Sequence, residues 1–318
     1  HTLEKFINAV ARDIEDPEKK IPVWERKKLT MIGQAKSPEE REEVRKRPEL
    51  RIGALGSGSD YTPFIQHLGV ASLNLAFGGR ESDGIYHSIY DDFYWYTRFS
   101  DTEFVYGRAL AQTAGTVVMR LAGAELLPFD FANLAETLRK YTDELKTLLK
   151  NMQDNIGERN RQIEERVFSA MADPKQPFVP PSVEEVPPHL NFAPLENAVD
   201  ALTHSAERYR KVREKAQDSG GAALARTSLE AVNAKLIESE RRLTSDKGLP
   251  GRPWFKHLIY APGAYTGYGV KTIPGVREAI EQKKWREAER EIARAAQVLN
   301  DEAALIESAA RELQEAVK

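Results

Sequence analysis

The stretch R-I-G-A-L-G-S-G-S-D-Y-T-P-F-I-Q-H-L-G-V-A-S-L-N-L-A-F, residues 51–77, decides the fold that we predict for the first part of this chain. Residues 51–55 and 70–77 are strand candidates, and the second alternates with a period of two. Residues 61–68 between them are a short helix candidate. A strand, loop, helix and strand in this order are typical of an α/β layer, in which ligands usually bind at the carboxyl ends of the strands.

Two loops next to these strands carry the residues that suggest chemistry, G-S-G-S-D at 56–60 and Y-H-S at 86–88. A metal that activates water usually needs three or more ligands from His, Asp, Glu or Cys, with one coordination position left open. The chain has no Cys and no H-E-x-x-H motif, so His87 is the one credible ligand. Taken alone, His87 is either an ordinary loop histidine or a ligand whose partners lie outside the sequence.

Composition limits the classes of function. The 318 residues give room for two domains, and 41% hydrophobic with 30% charged residues is typical of a soluble globular protein. A net charge of -3 offers no basic surface for nucleic acid, and no apolar run reaches the roughly 20 residues of a membrane span. The absence of Cys excludes disulfides and thiolate metal sites but leaves the compartment open.

The organisation changes near residue 125, after which nearly every periodic segment is helical, so the sequence predicts one domain at 1–125 and a second at 126–318. Ser100 and Glu103 predict a capping box for a helix that ends near residue 127. The later segments are, in chain order, a helix from about 131 that either ends in a polar stretch or continues beyond it to 171, a Pro-rich extended crossing at 173–194, helices at 195–216 and 222–243, an irregular stretch at 248–274, and a final helix from about 284.

The final helix carries apolar residues at alternating spacings of four and three. They are Ile292, Ala296, Leu299, Ala303, Ile306, Ala310, Leu313 and Val317. Such a 3.5-residue repeat, with small and large residues alternating, favours close packing against a neighbouring helix. The neighbour is either another helix of the same chain or one of a second subunit.

The first ten residues have the pattern of the inside of a helix, with Leu3, Phe6, Ile7 and Val10 on one stripe. Since the chain also begins without Met, we expect it to have been cut from a longer protein.

Blocks of sequence distributed from residue 55 onward resemble the zinc peptidase family that contains glutamate carboxypeptidase II and the transferrin receptor. They are L-G-S-G-S-D-Y-T-P-F (55–64), V-A-S-L-N-L-A-F (70–77), G-I-Y-H-S-I-Y-D-D (84–92), L-P-F-D-F (127–131), L-R-K-Y (138–141), G-L-P-G-R-P-W-F-K-H-L-I-Y-A-P (248–262) and I-P-G-V (273–276). The resemblance implies an α/β fold at 1–125, the C-terminal part of a mixed-sheet zinc exopeptidase domain. It implies an all-α helical-bundle dimerisation domain, of the transferrin receptor type, at 126–318.

The resemblance also implies an active site that hydrolyses small peptides with metal-activated water. Family members bind two zinc ions through two His, two Asp and one Glu, and a further Glu acts as general base. The last of these ligands corresponds to His87, and the others lie outside this chain. Tyr86 corresponds to a donor to the oxyanion that forms on the scissile carbonyl. The substrate-binding positions include Ser57, Gly58 and Ser59.

The resemblance argues against specificity for C-terminal glutamate. The arginines with which glutamate carboxypeptidase II grips an acidic substrate correspond to Asn74 and Ala76, and its lysine corresponds to Gly267, which leaves Tyr268 alone. Buried cations that pair with a substrate carboxylate cannot be replaced by Asn, Ala and Gly without loss of that recognition. We therefore expect a broader aminopeptidase or dipeptidase pocket with Asn74 in it and with Tyr265 and Tyr268 as apolar walls.

Two functions follow from the family. In the first, the parent protein is an active homodimeric dizinc exopeptidase, and the retained Tyr86 and His87 favour this reading. In the second, it is a receptor-like or scaffold homodimer that has lost its metal. In either case we expect the 318 residues alone to lack zinc and activity, and to aggregate or dimerise because of an exposed sheet edge. An extracellular or periplasmic location is implied by the resemblance alone.

Overall fold

The computed structural model describes residues 1–78, 85–218 and 226–316. Its helices are α1 (Glu4–Asp13), α2 (Val23–Gln34), α3 (Pro38–Lys46), α4 (Tyr61–Pro63), α5 (Phe93–Phe99), α6 (Val105–Ala122), α7 (Ala132–Glu164), α8 (Val167–Met171), α9 (Ala193–Asp218), α10 (Arg226–Arg242), α11 (Pro274–Glu281) and α12 (Trp285–Ala316). A π-helical turn, Phe64–Leu68, continues α4. The strands β1 (Tyr260–Pro262) and β2 (Val270–Thr272) form an antiparallel pair.

The first helix buries the stripe predicted for it. Leu3, Phe6 and Val10 are buried in the hydrophobic core, and Ile7 packs against that core. The helix begins at Glu4, one turn of chain after His1. Two of its polar side chains, Glu4 and Asn8, are also buried, and they organise the segment that follows α3.

Residues 51–55 do not form the predicted strand. Asn8 exchanges two hydrogen bonds with the backbone of Leu50, and the carboxylate of Glu4 accepts one from the backbone N–H of Ile52 at 3.0 Å. Side chains of α1 thus take the place of a neighbouring strand. Hydrophobic patterning selects an extended segment, but a strand also needs a partner for its backbone groups, and the described residues supply none here.

Residues 70–77 are likewise not a strand, although their side chains keep the predicted alternation. Leu73 and Leu75 pack against the core, while Asn74 and Ala76 are exposed. The mixed sheet expected in the first part of the chain is therefore not confirmed. Within the described residues the sheet consists of β1 and β2 alone.

The helix predicted after residue 100 forms as α6, but it ends at Ala122 and the predicted capping box is wrong. The N-cap position is Phe104, in the left-handed conformation with φ of 55°, and it makes no side-chain capping bond. Asp101 serves instead, because its Oδ2 accepts a hydrogen bond from the backbone N–H of Gly107 at 2.7 Å. A carboxylate at this helix N-terminus also interacts favourably with the helix dipole.

The second part of the chain is the predicted helical bundle. α7 and α8 cover the predicted helix, with a break at Arg166, whose φ is 60°. The Pro-rich segment has no regular structure, as predicted. α12 packs mainly against α9 and α10 and also contacts α11.

The apolar repeat of α12 is buried within this chain. From Ile292 to Leu313 all seven described members of the repeat are at most 5% exposed, whereas Val317 lies outside the described residues. The repeat is therefore an intrachain packing surface. Of the two alternatives open from the sequence, the structure supports the first.

The predicted irregular stretch at 248–274 contains the hairpin of β1 and β2, so that prediction is wrong at its centre. Tyr260 pairs with Thr272 and Pro262 with Val270. The hairpin is followed at once by α11, which the sequence analysis missed. Its buried residues include Val276 and Ile280.

One continuous hydrophobic cluster joins the two parts of the chain. It runs from Leu3, just before α1, and Phe6 in α1 through α7, α9 and α10 to Leu313 in α12. The predicted domain boundary falls between α6 and α7 and stays a prediction. In the part of the chain that the structure describes, no helix combines the length and the apolarity needed to cross a bilayer.

Candidate functional site

The 56–60 loop is covered by the hairpin of the helical part. A Cβ atom on Gly56 would lie 2.8 Å from the carbonyl oxygen of Tyr268 and 3.2 Å from the Cα of Val270. Gly58 has φ of +99°, and a Cβ there would lie 2.9 Å from the Tyr268 ring. Both glycines thus permit a close approach that a larger residue would block. The structure brings together three predicted substrate-binding residues, Ser57, Gly58 and Tyr268.

The two serines of this loop hold the turn through their backbone and leave their hydroxyls available. The carbonyl of Ser57 accepts a hydrogen bond from the Tyr61 hydroxyl at 2.8 Å, and that of Ser59 accepts one from the Thr62 hydroxyl at 2.7 Å. Neither serine hydroxyl has a hydrogen-bond partner among the described residues. Two free hydroxyls beside a glycine and an aromatic ring suit the binding of a polar substrate end.

Gln66 holds the beginning of this loop through hydrogen bonds, and it was not among the site residues predicted from the sequence. Its Nε2 donates to the carbonyl oxygens of both Leu55 and Gly56, each at 3.0 Å. The side chain is completely buried. The available signal was a glutamine that follows Ile65 in a short, largely apolar helix, because a buried amide needs specific hydrogen-bond partners.

Tyr86 and His87 form a separate, exposed pair. Their rings stack with centroids 3.8 Å apart, and 68% of Tyr86 is exposed. His87 is also exposed, and its φ of 62° places it in the left-handed region, which is uncommon outside glycine. A turn holds the pair, in which the Ser88 N–H donates to the Ile85 carbonyl at 2.8 Å.

The structure does not join Tyr86 and His87 to the 56–60 loop. Between the two sites no hydrogen bond or ring contact occurs among described residues, and residues 79–84, which precede the pair, lie outside the described ranges. The described residues also contain no group of three or more His, Asp or Glu placed to hold a metal. They do not by themselves fit a dizinc centre, because one imidazole on an exposed turn cannot supply the required ligands.

Asn74 lies elsewhere, on a cleft of about 220 Å³ between residues 52–55 and 71–75. The walls of the cleft are mostly apolar, and His1, Glu240 and Tyr260 contribute polar groups to it. Asn74 is thus close to the junction of the two parts of the chain. Among the described residues, no hydrogen bond joins it to Ser57 or Tyr268.

A buried polar network backs this cleft. Nδ1 of His257 accepts from the backbone N–H groups of Ile259 and Tyr260, so its proton lies on Nε2, which donates to Glu240 at 3.0 Å. The Tyr260 hydroxyl also donates to Glu240. Burial raises the pKa of Glu240, but the hydrogen bonds from His257 and Tyr260 more than reverse this and lower the pKa to about 2.

Glu302 is a second buried carboxyl with the opposite shift. Burial and the nearby Glu240 raise its pKa to about 8, against the effect of a 2.6 Å hydrogen bond from the Ser239 hydroxyl. Its other oxygen, Oε2, has no partner among the described residues. At neutral pH this carboxyl is therefore largely protonated, next to an ionised one.

Comparison with known proteins identifies one domain within the chain. Residues 190–307 match the transferrin receptor-like dimerisation domain. This range runs from the end of the Pro-rich segment through α9 and α10, the hairpin and α11 into α12. The helical-bundle dimerisation domain predicted from the sequence is therefore present.

Relatives cover more of the chain. A probable glutamate carboxypeptidase of Arabidopsis thaliana is 29% identical over 283 residues, which are 89% of this chain and 33% of that protein. A probable glutamate carboxypeptidase of Arthroderma benhamiae is 30% identical over 81% of the chain and 31% of its own length. Aminopeptidase NAALADL1 of Rattus norvegicus is 26% identical over 80% and 31%. The chain thus spans about a third of the length of these relatives, and the resemblance predicted from the sequence is confirmed.

Proposed function

Because this chain is a relative of glutamate carboxypeptidase-like and aminopeptidase proteins and contains a transferrin receptor-like dimerisation domain, we propose that it forms the C-terminal part of an exopeptidase that hydrolyses small peptides. The observation that carries this proposal is the packing of the Tyr268 ring against Gly58. It puts an aromatic wall from the dimerisation domain directly over a loop with two free hydroxyls. That combination is suited to holding one end of a short peptide.

In this proposal each predicted residue has a role. Ser57 and Ser59 donate hydrogen bonds to the substrate terminus, and Gly58 lets the substrate backbone approach. Tyr86 donates to the oxyanion that develops on the scissile carbonyl, an interaction worth about 3 kcal/mol in the transition state. His87 is one ligand of a zinc centre whose other ligands come from residues outside this chain.

The proposed substrate is a peptide without an obligatory acidic end. Asn74 and Ala76 carry no charge, and Tyr265 and Tyr268 are 91% and 66% exposed, so they are open to a substrate side chain. An exposed aromatic wall accommodates apolar residues of several sizes. We therefore propose an aminopeptidase or dipeptidase activity of broad specificity, in a protein that acts outside the cell or in the periplasm.

The proposed homodimer uses the helical part, but not the apolar repeat of α12. That repeat is already buried against α9 and α10. The contact between subunits therefore has to use outward-facing surface of the bundle.

The test compares the 318-residue chain with the longer parent protein. We expect the chain to bind no zinc in a metal analysis and to cleave neither dipeptides nor aminopeptidase substrates, whereas the parent protein does both. In the parent, His87→Ala lowers the zinc content, and Tyr86→Phe lowers kcat by about 100-fold or more with zinc retained. His189→Ala, which removes an exposed histidine of the Pro-rich segment, is the matched control.

Two results decide against the proposal. Zinc binding and hydrolysis by the 318-residue chain alone would show that the site does not depend on outside residues. A parent protein that binds no zinc and cleaves no peptide would instead support the receptor-like alternative.

A further inference from the structure

Gln66 is a completely buried polar residue at the point where the first part of the chain meets the dimerisation domain. It lies in the π-helical turn Phe64–Leu68, whose wider winding is closed by the N–H groups of Gly69 and Val70, both bonded to the Phe64 carbonyl. Single π-turns often occur at functional sites, because the added residue re-aims a side chain.

The side chain of Gln66 holds the beginning of the 56–60 loop. Its amide nitrogen donates to two consecutive carbonyls, those of Leu55 and Gly56, at 3.0 Å each. Because both neighbours are acceptors, only Nε2 can face them, which fixes the orientation of the amide. The Oε1 atom on the other side is buried without a partner among the described residues.

The backbone of Gln66 holds the dimerisation domain. Its carbonyl oxygen accepts from the N–H of Lys256 at 2.7 Å and from that of His257 at 3.3 Å. Gly69, three residues later, packs on the backbone of Arg241, where an added Cβ would lie 2.6 Å from the Arg241 Cα. One short segment therefore fixes both the loop and the domain that covers it.

From these contacts we infer that Gln66 is the positioning residue of the candidate substrate loop, holding Ser57 and Ser59 in register with Tyr268. The effect on substrate binding rests on the proposed function, whereas the contacts of Gln66 do not depend on it. The two N–H groups of the Gln66 amide set the direction of the Leu55–Gly56 backbone. Ser57, Gly58 and Ser59, which face the substrate in the proposed function, follow directly. Glu in this place would bring charge against two carbonyl oxygens, Asn would be one methylene too short, and Met would offer no donor.

The first experiment measures the loop directly in the 318-residue chain. Hydrogen exchange of the peptide that covers residues 55–70 reports on the Thr62 and Val70 amides, whose bonds depend on the shape of this segment. In Gln66→Met we expect exchange there to be at least about 10-fold faster, because local opening becomes easier. Unchanged exchange at 55–70 would overturn the inference.

Gln153→Met is the matched control. Gln153 also donates to two consecutive carbonyls, those of Pro187 and Pro188, at 3.0 and 3.3 Å, but it does so in the helical bundle. Its loss should leave exchange at 55–70 at the wild-type rate. Faster exchange at 55–70 in both variants would mean that general destabilisation, and not the Gln66 bonds, is responsible, which also overturns the inference.

The second experiment uses the parent protein and steady-state kinetics with a dipeptide. Misplacing binding groups by about 1 Å can cost about 100-fold, so we expect kcat/KM of Gln66→Met to fall by about that factor, with KM rising more than kcat falls. Wild-type kinetics in Gln66→Met would overturn the positioning role. A wild-type parent without activity would refute the proposed function, and the exchange experiment would still decide whether Gln66 holds the loop.

Discussion

Glu240 and Glu302 lie in the same buried region, yet their pKa values move in opposite directions. Glu240 accepts hydrogen bonds from His257 and Tyr260, which favour its ionised form. Among the described residues Glu302 receives one bond, from Ser239, and its second oxygen has no partner. The difference in the number of donors, under similar burial, decides which carboxyl keeps its proton.

This pair predicts an optimum in the pH dependence of stability. The pKa of Glu302 is about 8 in the folded protein against a usual 4.5, so the folded state binds the extra proton and stability falls as pH rises from 4.5 to 8. The pKa of Glu240 is about 2, so its contribution is lost as pH falls from 4.5 to 2. For these two groups, stability is highest near the usual carboxyl pKa.

Glu302→Gln tests this dependence. We expect the variant to lose a slope of up to about 1 kcal/mol per pH unit between pH 5 and 8, measured by urea unfolding. Glu315→Gln, at an exposed position of the same helix, is the control, and we expect it to leave the slope unchanged. An unchanged slope in Glu302→Gln would contradict the assignment.

Some residues of the candidate site could be predicted from the sequence, and others could not. The motif pointed to Ser57, Gly58 and Tyr268, and the structure brings them together. Gln66 was missed because its neighbours, ten residues back and about 190 residues ahead in the chain, are known only after folding. The site roles themselves stay predictions.

Among the elements, α12 was the most predictable. Its 3.5-residue repeat specifies a continuous buried face, and the described members of the repeat are buried. The face packs on α9 and α10, so most of its stability comes from apolar contact along its length.

Leu299 is a direct probe of that packing. It is fully buried, so Leu299→Ala should lower the free energy of unfolding by about 2–5 kcal/mol through lost apolar burial and a residual cavity. Ile237→Ala, at a position of α10 that is 56% exposed, should change it by less than about 0.5 kcal/mol. Equal losses in urea titrations of the two variants would show that the repeat is not the packing core.

The two predicted strands show the opposite case. Residues 51–55 and 70–77 have strand-like patterns, but strand formation also depends on partner strands, which local sequence does not specify. The side chains of Asn8 and Glu4 bind the backbone of the first segment. This contact results from the position of α1, which the sequence of the segment does not reveal. The predicted capping box is wrong for a related reason. Asp101, and not Ser100, accepts the hydrogen bond from the backbone N–H of Gly107 in α6.

In the molecule as a whole, an aromatic surface around α5 is uncovered among the described residues. No residue of α5 is buried, although its sequence is F-Y-W-Y-T-R-F. Phe93, Tyr94 and Phe99 are 72%, 62% and 66% exposed, and the preceding Ile89 and Tyr90 are 87% and 67% exposed. Exposed apolar patches of this kind promote association.

This surface, and not the sheet edge expected from the sequence, should govern the solution behaviour of the chain. Phe93→Ser with Phe99→Ser should reduce both the binding of an apolar fluorescent dye and the mass-average size in sedimentation. Phe178→Ser, at an exposed position of the Pro-rich segment, should change neither. Unaltered dye binding and size in the double variant would locate the association elsewhere, for example in the proposed dimer surface of the bundle.

The local and the family-level features of this protein follow from its amino-acid sequence alone. Helix periodicity, the Pro-rich crossing and the ordered motif blocks each depend on near neighbours or on fixed spacing, and the helical bundle, the dimerisation domain and the kinship to peptidases followed from them. Three outcomes came from the tertiary structure: residues 51–55 and 70–77 do not pair as strands among the described residues, the α12 repeat is buried within one chain, and Gln66 joins the 56–60 loop to the backbone of Lys256 and His257, just before β1. Those outcomes depend on contacts between residues far apart in sequence, whose partners are chosen by packing and by the need to satisfy buried backbone groups.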